Sequence, residues 1–128
     1  MARAVVPLSD GGSVLLVDSI TEILPEDGGR IVVSGSHGGV SAAGYAAAVP
    51  LAACFLNDAG IGKENAGVAG VLSLPCPAAA YGHDSARIGD AADAWTNGIL
   101  TVVNSAAAKA GLCAGMNVQQ AVRLLLRP

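Results

Sequence analysis

The feature that most constrains this chain is a pattern that recurs three times: an apolar run stops abruptly in a polar, glycine-bordered tip, and a helix-forming stretch follows. In the first, Ile31-Val-Val-Ser-Gly-Ser-His-Gly-Gly39, the run gives way to Ser36 and His37. The second passes from Leu51 through Asn57 and Asp58 to Gly60. The third runs from Ala78 to Asp90 through the densest polar stretch of the chain, His83-Asp-Ser-Ala-Arg87.

Apolar runs without polar alternation describe strands buried on both faces, as in a parallel sheet covered by helices. Their alternation with helical stretches predicts an α/β fold: a single domain over residues 1–128, built on a mostly parallel sheet of about four strands with helices on both faces. Strands are expected over residues 13–20, 30–36, 51–56 and, with weaker propensity, 78–82. Residues 1–12 end in the turn cluster Ser9-Asp-Gly-Gly12, and Leu24-Pro-Glu-Asp-Gly-Gly29 has strong turn chemistry. One helix is expected over 40–48, stopped by Val49-Pro50 because the residue before a proline is pushed out of the helical region. A second is expected over 64–74. Its interior glycines each cost up to about 1 kcal/mol relative to alanine, so they imply a close backbone contact. The longest starts at the cap Asp90, carries Ala94, Trp95, Ile99, Val102, Val103, Ala106 and Ala110 near one face, and stops at Gly111. A last helix follows Asn117. The direction of the first strand is not readable.

Composition narrows the function classes. Apolar residues make up 52% and charged residues 13% of the 128, well below the roughly 25% charged of an average globular protein. A surface so poor in charge implies cover by another subunit, hence a homo-oligomer. A net charge of −3 with seven Lys and Arg offers no basic patch for nucleic acid. No continuous apolar run reaches the roughly 18 residues of a membrane span, and the stretch before Pro7 is too short for a signal peptide. Cys54, Cys76 and Cys113 are odd in number and lack CxxC spacing, which fits packed thiols in a reducing, cytoplasmic setting.

In sheets of this kind ligands bind beyond the carboxyl ends of the strands, where every polar tip falls. At the first tip Ser36 and His37 supply a hydroxyl and a proton-transfer group. They point to opposite sides of an extended segment and do not form a pair with each other. The amides of Gly38 and Gly39 are candidates for oxyanion stabilisation. At the second tip Asn57, Asp58 and Lys63 bring an amide, a carboxylate and an ammonium. The loop departs from a Walker motif, since Asn57 stands where the first glycine belongs and Glu64 where a Ser or Thr belongs. At the third tip Arg87 offers a planar fork for a carboxylate or phosphate, with Ser85 beside it. Asp18 and Ser19 add a fourth edge if the first strand is parallel. His37, His83, Asp58 and Asp84 are metal-ligand types but show no metal-binding spacing, and no G-x-G-x-x-G follows a strand, so neither a metal nor an organic cofactor is expected.

The residues together describe a small cofactor-independent enzyme, a hydrolase, lyase or isomerase, acting on a small polar anionic molecule. His37, Asp58 and Lys63 are the catalytic candidates; Ser36, Gly38, Gly39, Asn57, Ser85 and Arg87 are the binding candidates. The alternative is a non-catalytic ligand-binding or assembly subunit of a larger complex. Each of these tips also has a bland reading as a capped turn or a solvated charged face.

Overall fold

Each central strand of this chain divides its side chains between two cores. In the computed structural model, which describes residues 3–9 and 11–127, Val14 and Leu16 of one strand enter one core while Leu15 and Val17 enter the other. Met1, Ala2, Asp10 and Pro128 lie outside the described residues, and with Asp10 a corner of the expected turn at 9–12.

The sheet has six strands among the described residues: β1 (Arg3–Pro7), β2 (Ser13–Val17), β3 (Ile31–His37), β4 (Ala53–Asn57), β5 (Ala78–Tyr81) and β6 (Leu100–Val103). They lie in chain order, with β2 to β5 parallel and β1 and β6 antiparallel at the two edges. The expected α/β class and parallel sheet are therefore present, but with six strands rather than four. The four expected strands are the four parallel ones, and β2 proves parallel to β3.

Helices cover both faces. On one, α1 (Val40–Ala47), α2 (Ala69–Ser73) and a 3-10 turn at Ile20–Glu22 pack on Leu15, Val17, Val32, Cys54 and Leu56. On the other, α3 (Ala91–Asn97), α4 (Ser105–Lys109) and α5 (Val118–Leu126) pack on Val33, Phe55, Tyr81 and Leu100.

Three expectations need correction. Residues 3–7, to which no element was assigned, form the edge strand β1, held by Arg3, whose guanidinium makes paired bonds of 2.8 and 2.7 Å to the buried Asp27. The expected helix over 64–74 shrinks to α2, because Glu64 and Asn65 take left-handed backbone angles (φ 56° and 60°). Its Gly70 does lie in a close backbone contact, since a Cβ there would strike the Gly39 carbonyl. The long helix over 90–111 is instead α3, β6 and α4. Gly98 breaks it: a Cβ there would come within 2.6 Å of Ala94 O and 2.8 Å of Val118 Cγ2. The β-branched run Thr101-Val-Val103 then pairs with β5, where sheet partners outweigh the helical spacing of its apolar residues. Buried Asn104 completes the switch, capping α4 through Ala107 N–H (2.9 Å) while also accepting from Ala78 N–H (3.0 Å) and donating to Cys76 O (2.9 Å).

Candidate active site at the carboxyl edge of the sheet

Because β2 to β5 are parallel, the residues that follow them all reach one edge of the sheet. Antiparallel β6 begins at that same edge. Parallel register sets Asn57 of β4 beside Tyr81 of β5, so the next residues along, Asp58 and the Gly82-His83 pair, are neighbours.

Asp58 is the centre of this edge. It is buried at 3% exposure, and all of its acceptor capacity is directed locally. Oδ1 accepts from Gly60 N–H (2.8 Å) and His83 N–H (3.0 Å), and lies 3.3 Å from His83 Nδ1; Oδ2 accepts from the Thr101 hydroxyl (2.8 Å). Burial opposes its charge, but the Gly60 amide, the Thr101 hydroxyl and both contacts with His83 outweigh burial and lower its pKa. Asp58 is thus a fixed carboxylate at neutral pH. The His83 imidazole, by contrast, is 59% exposed. A carboxylate 3.3 Å from Nδ1 favours the tautomer protonated there, which leaves the lone pair on Nε2 as in a positioned general base.

The loop that follows Asp58 is backbone-strained. Ala59, Ile61, Glu64 and Asn65 all have positive φ without being glycine, and a β-branched residue such as Ile61 (φ 66°) rarely adopts it. Short bonds hold the loop shut, Ile61 N–H to Asp58 O (2.6 Å) and Gly67 N–H to Ile61 O (2.6 Å). Gly60 lies against the imidazole, so that a Cβ there would sit 3.5 Å from His83 Cε1. Lys63 extends from this loop, exposed, its ammonium without hydrogen bond or ion pair among the described residues.

The other tips are largely structural. β3 carries a bulge, with Val33 opposite Phe55 but His37 opposite Asn57, so residues 34–36 face Leu56 alone. The bulge is fixed by Ser36 N–H to Ser34 Oγ (3.0 Å), Tyr81 OH to Ser34 O (2.6 Å) and Gly89 N–H to Gly35 O (2.7 Å). Burial pushes the Tyr81 phenol up, so it remains a neutral donor. Ser36 Oγ accepts from Ile20 N–H at 2.9 Å, which ties β3 to the turn after β2. His37 is exposed, and its Nδ1 accepts from Gly39 N–H at 3.1 Å.

Several expected roles change as a result. The oxyanion role of Gly38 and Gly39 lacks its donors: Gly38 N–H goes to Asn57 O (2.8 Å) and Gly39 N–H to His37. Asn57 is buried with both ends of its amide bonded, Oδ1 to Ala59 N–H (2.8 Å) and Nδ2 to Ala86 O (3.1 Å). Ser85 donates to Gly82 O (2.7 Å) and accepts from Ile99 N–H (3.0 Å), closing its own turn. Arg87 is exposed, and its backbone N–H, rather than its guanidinium, bonds to Asp93 (2.8 Å). Asp18, at the end of β2, accepts from Ala91 N–H at 3.0 Å and so holds the start of α3. Sequence reasoning treated His83 only as a possible metal ligand and did not single out Thr101. Parallel pairing of consecutive strands is the signal that places His83 beside Asp58. Among the described residues no three His, Cys, Asp or Glu side chains are grouped to hold a metal ion, and no helix is long and apolar enough to cross a membrane.

Compared with known proteins, the chain matches no family model, no curated protein and no solved structure.

Proposed function

We propose that this edge of the sheet is the active site of a small acid–base enzyme, a hydrolase, lyase or isomerase that uses no organic cofactor and acts on a small polar anionic molecule. His83 Nε2 removes a proton from the substrate or from water, and Asp58 positions the imidazole and stabilises the imidazolium that results. Asp58 keeps its place in the machinery, but as a positioning residue and not as the proton carrier. Lys63, on the loop beside His83, supplies charge for the anionic group. His37 and Arg87 stand outside this pairing, since His37 Nδ1 meets a backbone amide rather than a carboxylate and the Arg87 guanidinium makes no hydrogen bond among the described residues.

One observation carries this reading: an exposed imidazole whose Nδ1 lies 3.3 Å from a buried, charged carboxylate at the carboxyl edge of a parallel sheet. A second reading, a ligand-binding or assembly subunit without turnover, is favoured by the backbone donors on Asp58, which are also what a loop anchor collects. The low charge of the sequence leads us to propose further that the chain self-associates.

The test begins with thermal shifts against carboxylates, phosphates and cyclic amides, followed by turnover of any stabilising compound. His83→Asn is expected to cost about 10²–10⁴ in rate, the usual contribution of a positioned base. A compound that stabilises the protein and is recovered unchanged would establish the binding subunit instead. If neither His83→Asn nor Asp58→Asn weakens binding or turnover, the site lies elsewhere.

A further inference from the structure

Two long segments of this chain carry no charge. Residues 38–57 and 65–82 contain no Asp, Glu, Lys, Arg or His. These segments build α1 and α2, which pack on each other and on one face of the sheet. Their outward sides nevertheless carry large apolar side chains: Val40 is 71%, Tyr45 52% and Leu72 50% exposed. Gly44, Ala47 and Ala48 are exposed between them, and a Cβ added at Gly44 would meet nothing within 4 Å.

Beside Tyr45 the same surface hollows into an apolar concavity of about 260 Å³, lined by residues 46–51 and 74–76. That is below the roughly 300–1,000 Å³ of a small-molecule pocket, and it offers no charged group to orient a metabolite. It is suited to a side chain. The surface therefore holds a protruding aromatic residue and an apolar hollow next to each other.

We infer that this α1/α2 face is the interface of a two-fold homodimer, in which Tyr45 of each copy enters the concavity at residues 46–51 and 74–76 of the other. A knob and a hole on one patch are complementary to a second copy of that patch under two-fold rotation, each contact occurring twice. Charge sets the same preference. A patch built from segments without charged side chains meets its own copy with little like-charge repulsion, whereas a partner with a charged surface would have to bury that charge unpaired. Of the remaining polar groups, the Ser41 and Tyr45 hydroxyls can each donate and accept, and Ser73, which donates to Gly70 O at 2.9 Å, can still accept. Glu22, on the turn against α1, lies at the rim, where a polar border is usual.

The inference does not depend on the acid–base reading, and its test is separable from it. Sedimentation equilibrium of the wild type at rising concentration should give twice the chain mass. Tyr45→Lys and Leu72→Lys should each return the single-chain mass, while Ile88→Lys, at an apolar residue exposed elsewhere (50%), should leave the dimer intact. Far-ultraviolet circular dichroism and the His83 imidazole resonances establish that each variant is folded. Amide exchange should be slower in residues 44–52 and 72–77 at high concentration and should speed up on dilution. A wild type that stays at single-chain mass up to millimolar concentration overturns the inference, whatever else binds that face. So does a dimer that survives both lysine substitutions, or one lost through Ile88→Lys.

Discussion

The two histidines of this chain lie at the carboxyl ends of β3 and β5, the parallel strands on either side of β4, and their Nδ1 atoms meet opposite kinds of partner. His83 Nδ1 lies 3.3 Å from the Asp58 carboxylate, which favours a proton on that nitrogen. His37 Nδ1 accepts from Gly39 N–H at 3.1 Å, so its own proton resides on Nε2. His83 thus presents a base to solvent and His37 presents a donor. Residue type and place in the fold are shared; the partner of one nitrogen decides what the other can do.

The largest effect expected from breaking this contrast is kinetic. Removing the His83 imidazole should lower turnover by about 10²–10⁴, while His37→Ala should leave it at the wild-type level. Equal losses from both substitutions would show that the carboxylate partner confers no distinction. Next in size is stability. Asp58→Ala strips the acceptor from the Gly60 and His83 amides and from the Thr101 hydroxyl, and should cost about 3 kcal/mol in denaturant unfolding. Gly39→Ala, whose Cβ would come 2.8 Å from His37 Nδ1, should displace the His37 ring and leave the nitrogen shifts of His83 unchanged.

Acid should sharpen the same contrast. Asp58 and Asp27 both have carboxyl pKa values lowered in the fold from the ordinary 3.8. For a lowered carboxyl pKa, the native state binds fewer protons than the unfolded chain across the window between the two values. The stabilisation is therefore fully present above about 4 and is lost as pH falls through the native values. Asp58→Asn and Asp27→Asn should each flatten the acid limb of the stability curve. An unaltered acid limb in Asp58→Asn would mean that the carboxylate contributes nothing as an ion. Ile61→Gly should relieve a left-handed β-branched residue, offsetting part of the core packing and chain entropy it loses, so that stability changes by less than about 1 kcal/mol while the loop after Asp58 loosens in amide exchange. The smallest effect expected is in α1: Gly44→Ala, in open space, should raise the stability of the single chain by up to about 1 kcal/mol while weakening its association.

Much of the fold was legible because the evidence for it is local. The runs at Val14–Val17, Ile31–Val33 and Ala53–Leu56 are apolar on both faces, and only a covered parallel sheet buries both. The cap at Asn117 is readable for the same reason, its side chain accepting from Gln120 N–H at 2.8 Å, three residues away. β6 was not legible. Its residues have helical spacing, and the contact that breaks the helix joins Gly98 to Tyr81 and Val118, distant in sequence. The site divided along the same line. Asp58 was readable as a carboxylate ending a strand, but the role given to it changed once its partners were known. His83 was visible in the third tip without a reason to pair it, and Thr101 was hidden inside an expected helix.

By itself, the sequence determined the class of fold, the edge of the sheet where polar side chains gather, and a low overall charge, because each of these is a property of consecutive residues, their periodicity or their composition. Tertiary structure alone decided that β1 and β6 close the sheet and that a bulge consumes Ser34 and Ser36. It also decided that Asp58, His83 and Thr101 meet while His37 stands apart. Hydrogen bonds and burial between segments 25 and 43 residues apart are set by strand order and register, and no local pattern encodes those distances.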